Sequence, residues 1–282
     1  MLRIIHSGPI MAELRTGLAP AAPFLKAALF LWGLALIGAL LVLPYVASLE
    51  AKALAEVAAK KGTSTTVLLT LSMVQSAVVL GAAVLAGLWA ARKLGLRTPV
   101  IDGWLGPNAL PRDVAATLIV ALAAGVLSGF TIYALDRWVF APLSPMVANL
   151  RGSAHPAYWQ GFLASFYGAL DEEILMRLGL LSLLALALRT ALRLFGAGGA
   201  SPLPAGIFWV ANLTSAVVFG LGHLPATAAI LPLTHILVAR AIVLNGLGGI
   251  VFGALYRRYG LEWAMVAHFG ADIVLHVALS GG

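Results

Sequence analysis

Several stretches of this chain stay apolar for about 20 residues at a time with scarcely a charge among them, and nothing else in the sequence constrains the fold as much. At 1.5 Å of rise per residue, each matches a hydrocarbon layer about 30 Å thick. Lipid offers the backbone no hydrogen-bond partners, so each segment has to satisfy its own amides, which predicts an all-α, polytopic transmembrane helical bundle. Composition agrees: 61% of the 282 residues are hydrophobic and 10% charged, against about 25% charged in soluble domains.

The first runs fall near 27–47, 67–91 and 114–135 and are almost free of charge. Between the first two, Glu50 to Lys61 places Leu54, Val57 and Ala58 on one helical face, as in a helix extension or interfacial segment. The connectors 92–113 and 136–158 hold Pro99, Pro107, Pro111, Pro142, Pro145 and Pro156 and are expected to be irregular or surface-lying. A long helical stretch follows over 159–189, another over 205–222 that ends at His223 before Pro225, and a last one over 261–279. The region 226–256 contains Pro232, Arg240 and Asn245 and reads as one kinked helix or two segments, giving roughly seven or eight spans. Three parts are expected: a polar leader over 1–26, three spans with connectors over 27–158, and a functional core over 159–282.

The leader contains Arg3 and Arg15 but no short apolar core with a small-residue cleavage site, so it is read as retained. With seven spans and a cytoplasmic N-terminus, Arg3, Arg15, Lys26, Arg92, Lys93, Arg97, Arg112, Arg189, Arg193, Arg257 and Arg258 collect on one side. Lys52, Lys60, Lys61, Arg137, Arg151 and Arg240 fall on the other, and this bias favours an N-terminus inside, in the cell membrane. The net charge of +7 is spread over short connectors and forms no aromatic-interleaved basic stripe, so membrane lipids and not nucleic acid are the expected surroundings. There is no cysteine, which removes disulfides, thiolate metal sites and a cysteine nucleophile. No internal repeat is evident, which argues against a carrier built from inverted repeats. Gly249 and Gly253, beside Gly246 and Gly248, read as a helix-packing surface.

Against this background a few ionisable residues stand out, because each costs roughly 2.5 kcal/mol or more at the bilayer centre. Glu172, Glu173 and Arg177 lie in one apolar helix, His223 ends another, and His268 and Asp272 share a third. Glu173 and Arg177, four apart with the acid first, are spaced to pair. That leaves Glu172, about 100° around the helix, as the candidate general base. His268 and Asp272 project from one face, with His276 a turn further on. Asp272 either orients the imidazole or joins His268 and His223 around a divalent metal, zinc being the ion that two histidines and a carboxylate suit. His235, His276, Asn212 and Gln160 are read as structural.

In order, Glu172-Glu173-Ile174-Leu175-Met176-Arg177 reads EExxxR, Phe219 to His223 reads FxxxH, and His268 to Asp272 reads HxxxD. This trio resembles the CPBP family of intramembrane endopeptidases, which includes the CAAX prenyl proteases and bacteriocin-processing relatives. The resemblance implies that Glu172 and His223 activate a water and that His268 and position 272 stabilise the oxyanion or complete a metal site. It further implies that Glu173 and Arg177 support them, and that the substrate is a hydrophobic or lipidated protein or peptide. Family members often carry Asn at the position of Asp272; Asn donates to an oxyanion and an ionised Asp does not, which shifts Asp272 towards a metal ligand, an orienter of His268 or a protonated acid. Two readings of other kinds remain: a non-proteolytic scaffold or immunity protein of the same fold, and a proton-coupled carrier.

Overall fold

The structure is a computed structural model that describes residues 22–107, 109–151, 156–195 and 203–279. Most of the expected polar leader lies outside the described residues. Every element among them is helical, and seven helices are long and apolar enough to cross a membrane. The chain is an integral, multi-pass membrane protein.

In chain order the elements are α1 (Phe24–Leu49), a short α2 (Ala51–Lys60), α3 (Thr65–Leu94), a short α4 (Pro99–Leu105), α5 (Val114–Leu143), a short α6 (Pro145–Arg151), α7 (Tyr158–Leu194), α8 (Ala205–Ala229), α9 (His235–Tyr259) and α10 (Leu261–Ala278). The spans α1, α5, α8 and α10 begin at one end of the bundle, called proximal here, and α3, α7 and α9 begin at the other, distal end. Contacts distant in sequence respect this alternation. The amide of Leu261 donates to the Arg97 carbonyl (3.1 Å) at the proximal end, while Gln160 Nε2 donates to the Pro44 carbonyl (3.0 Å) at the distal end.

The sequence reading is corrected in four places. The first span starts at Phe24, so Lys26 belongs to the helix and not to a leader. The 92–113 connector holds α4, with Pro99 in its first turn, where a missing N–H costs nothing. The 136–158 connector is also largely helical: α5 runs on through a π-helical turn over Asp136–Phe140 and past Pro142 to Leu143, and Pro145 sits at the start of α6 and not at a break. Asp136 therefore lies inside the bundle, where Arg240 holds it through two hydrogen bonds of 2.6 and 2.9 Å. Finally, 226–256 resolves into the end of α8, an extended break at Pro232–Thr234, and α9, so the spans among the described residues number seven.

Small residues bring the core helices together. A Cβ at Gly125 of α5 would strike the backbone of Ala267 in α10, and one at Gly220 of α8 would strike Ile242 in α9, so these backbones approach as closely as glycine permits. The expected Gly249/Gly253 surface does pack: Gly249 faces Ala216, and Gly253 faces Asn212, whose amide donates to the Ile250 carbonyl (3.1 Å). At the proximal end α9 turns into α10 through Gly260 alone, at φ +120°, a conformation that a side chain resists.

Candidate active site

α7 is not a regular α-helix where it carries its acids. It widens to π-helical turns over Gly168–Glu172 and again over Ile174–Leu181, with Glu173 between them. Such turns carry one extra residue per bulge and are frequent at functional sites. Here the outcome is that Glu172 and Glu173, neighbours in sequence, serve two different places. The Glu173 side chain is wholly buried, whereas that of Glu172 keeps 20% of its surface and lines a cavity of about 600 Å³.

The ion pair expected from spacing is present, with Arg177 Nη1 2.9 Å from Glu173 Oε1. The Arg177 side chain is 1% exposed, and its guanidinium lies over the rings of Phe219 (4.9 Å) and Phe252 (5.4 Å), a cation–π sandwich in a dry setting. The same Glu173 Oε1 lies 2.7 Å from Nδ1 of His268. A carboxylate paired with arginine only accepts, so Nδ1 carries the proton and Nε2 is the atom that His268 presents to the cavity. The ring of His268 is further held by stacking on Phe252 at 4.7 Å and 26°. The orienting carboxylate is thus Glu173 and not Asp272, a correction the sequence could not supply because the two residues are 95 positions apart.

His223 is fixed by the same logic. Its Nδ1 is 2.8 Å from the Phe219 carbonyl, which again accepts only, so Nε2 faces outward. That nitrogen lies 3.9 Å from Glu172 Oε1, while His268 Nε2 lies 3.5 Å from Glu172 Oε2. Both separations are longer than a direct hydrogen bond. Asp272 Oδ1 lies 3.7 Å from His268 Nε2 and 3.9 Å from His276 Nε2. Glu172, His223, His268 and Asp272 therefore all line one cavity, supplied by α7, α8 and α10.

The expected metal donors are not gathered in the same way. Among the described residues, no group of three or more His, Cys, Asp or Glu side chains is placed to hold a metal ion, so His223, His268 and Asp272 do not fit a three-donor zinc centre as they stand. His276, read as structural, sits at the site's edge with its ring 5.7 Å from that of Tyr45. Gln160 is structural as expected, accepting from the Ala157 amide (2.8 Å) at the start of α7.

Four contributing residues escaped the sequence reading. Asp171 completes a run of three consecutive acids, a signal that was present but unused. Its side chain is fully buried against Gly38 of α1, and neither oxygen has a hydrogen-bond partner among the described residues. Gly168 makes room for the site: a Cβ there would strike Asp272 Oδ2 and come within 3.1 Å of His268 Nε2. Asp136 and Arg240 line the outer part of the cavity.

Comparison with known proteins agrees with the trio of motifs. Residues 154–274, which hold all three, match the family model described as type II CAAX prenyl endopeptidase, Rce1-like. No curated protein and no solved structure matches the chain.

Proposed function

We propose, on the premise that residues 154–274 carry the core of an Rce1-like CAAX-type endopeptidase, that this protein hydrolyses a peptide bond of a hydrophobic or lipidated polypeptide within the membrane. The observation that carries this reading is the pair of distances from the two oxygens of Glu172 to the Nε2 atoms of His223 and His268, on two other helices. A carboxylate facing two imidazoles in one cavity is arranged to deprotonate a water held beside them and to receive the substrate carbonyl there.

In the step so derived, a water sits between Glu172 and His223. Glu172 takes one of its protons while His223 Nε2 accepts a hydrogen bond, which aims the oxygen. The new C–O bond forms at the scissile carbonyl, and its oxygen takes up negative charge near His268. Nε2 of His268 donates to that oxyanion when it carries a proton, with Glu173 holding the ring through Nδ1. A donor of this kind commonly lowers the barrier by about 3 kcal/mol. The C–N bond then breaks, and the proton held by Glu172 passes to the leaving amine. Asp272, in its protonated form, is the second donor to the oxyanion. No step is assigned to a metal, because the donor set does not converge on one.

Glu172→Ala is expected to abolish cleavage of a hydrophobic peptide substrate by the purified, reconstituted protein while leaving its expression and thermal unfolding unchanged. Undiminished turnover would sink the assignment. Flux of a solute across liposomes without any cleavage would favour a carrier instead, and a binding phenotype that survives Glu172→Ala would favour a scaffold.

A further inference from the structure

The cavity has a direction. Its lining includes Tyr45 of α1, Asp136 of α5, Ala226 of α8 and His276 of α10, with Glu50 and Leu279 just beyond the ends of α1 and α10, and, deeper in the bundle, Phe219 and Phe252. Tyr45, Asp136, Ala226 and His276 all lie in the distal halves of their spans. The cavity that holds the catalytic side chains therefore lies towards the distal end.

The proximal end is closed among the described residues. α4 is tied across it: Asp102 Oδ1 accepts from the Ala22 amide (2.9 Å), Glu262 Oε1 accepts from the Ile101 amide (2.8 Å), and Arg92 Nη2 donates to the Ala22 carbonyl (2.7 Å). Arg257 Nη2 adds a bond to the Leu203 carbonyl (3.2 Å). Between this seal and the site, Ile174, Leu178, Phe208 and Tyr256 are at most 1% exposed, and the Tyr256 hydroxyl is bonded to Ser182 (3.1 Å).

The two ends also differ in charge. Seven spans place Arg92, Lys93, Arg97, Arg112, Arg257 and Arg258 at the sealed end, in short connectors or the last helical turns beside them. The cavity end has fewer basic residues, chiefly Lys52, Lys60, Lys61 and Arg137, and part of the basic charge there is neutralised internally by the Asp136–Arg240 pair. Short connectors rich in Lys and Arg stay in the cytoplasm. We infer that the active site opens on the face of the membrane opposite the cytoplasm, and that its substrates are polypeptides already translocated or anchored there by a hydrophobic segment, not cytosolic proteins bearing a C-terminal prenyl group. The substrate class rests on the endopeptidase reading above; the sidedness does not.

The chain contains no cysteine, so single thiols can report on each end without further engineering. Ala59→Cys on α2, Ala226→Cys at the cavity mouth and Ala109→Cys in the sealed-end connector are all at exposed positions. Each full-length variant is treated in intact cells with a membrane-impermeant maleimide and compared with the same protein labelled in detergent. Ala59→Cys and Ala226→Cys are expected to label from outside, and Ala109→Cys only after the cells are permeabilised. Labelling of Ala109→Cys from outside overturns the inference, as does a failure of the two distal thiols to label from outside when they label in detergent. Glu172-dependent cleavage is measured separately in detergent, where the faces are no longer distinct, so loss of the sidedness leaves the enzymatic reading standing and loss of activity leaves the sidedness standing.

Discussion

Glu173 and Glu172 are adjacent acids with opposite assignments, and their surroundings make the difference. Glu173 is enclosed and held between Arg177 and His268; Glu172 is left with two oxygens facing imidazole nitrogens in a cavity. Asp272 has the more informative chemistry to probe. If it donates to the oxyanion, Asp272→Asn is expected to keep most of the turnover and Asp272→Ala to lower it by about 100-fold, the loss typical of one donor. If it is a carboxylate ligand, Asp272→Asn loses activity with the alanine variant, and the wild type loses activity on chelation and regains it with zinc; rates of the three proteins with and without chelator separate the cases. Glu172, His223, His268 and Asp272 were legible in the sequence because the cost of placing such groups in an apolar helix makes them conspicuous. The Glu173–His268 bond and the clearance at Gly168 were not, since each depends on how α7 meets α10.

At the level of single elements, hydropathy located six of the seven spans among the described residues to within a few residues at most ends, because length and apolarity are fixed by the bilayer itself. The helical character of the connectors is not legible from composition: proline reads as a breaker at Pro99 and Pro145, where it begins a helix, and at Pro142, which α5 carries in its last turn. The π-helical turns were also invisible, for they break the 3.6-residue period on which any face assignment rests. Their role can be tested by deleting Ala169, within the turn Gly168–Glu172. Removing one residue allows an ordinary α-turn to form, which takes away the local widening that sets Glu172 apart from Glu173 while keeping the flanking helix in phase. The shortened protein is expected to insert in the membrane at normal levels and to cleave nothing. Wild-type cleavage would show that the wide turn does not set the position of Glu172.

Across the whole molecule, α5 and α9 are joined by the Asp136–Arg240 pair, 104 positions apart in sequence and so beyond any local reading. Arg240→Met takes from Asp136 the partner that makes two of its hydrogen bonds. The expected loss is roughly 1–3 kcal/mol, less than for a fully buried pair because the Arg240 side chain is 27% exposed. A lowered unfolding temperature in detergent is the expected result. An odd number of crossings adds a practical consequence. α1 starts at the sealed end, whereas α10 finishes at the cavity, and Leu279 forms part of the rim. An affinity tag attached after Leu279 would hang in the path of an incoming polypeptide and act as a tethered competitor, while one attached ahead of Phe24 would lie at the far end of the bundle. The choice of tag position would thus decide whether a purified sample looks active.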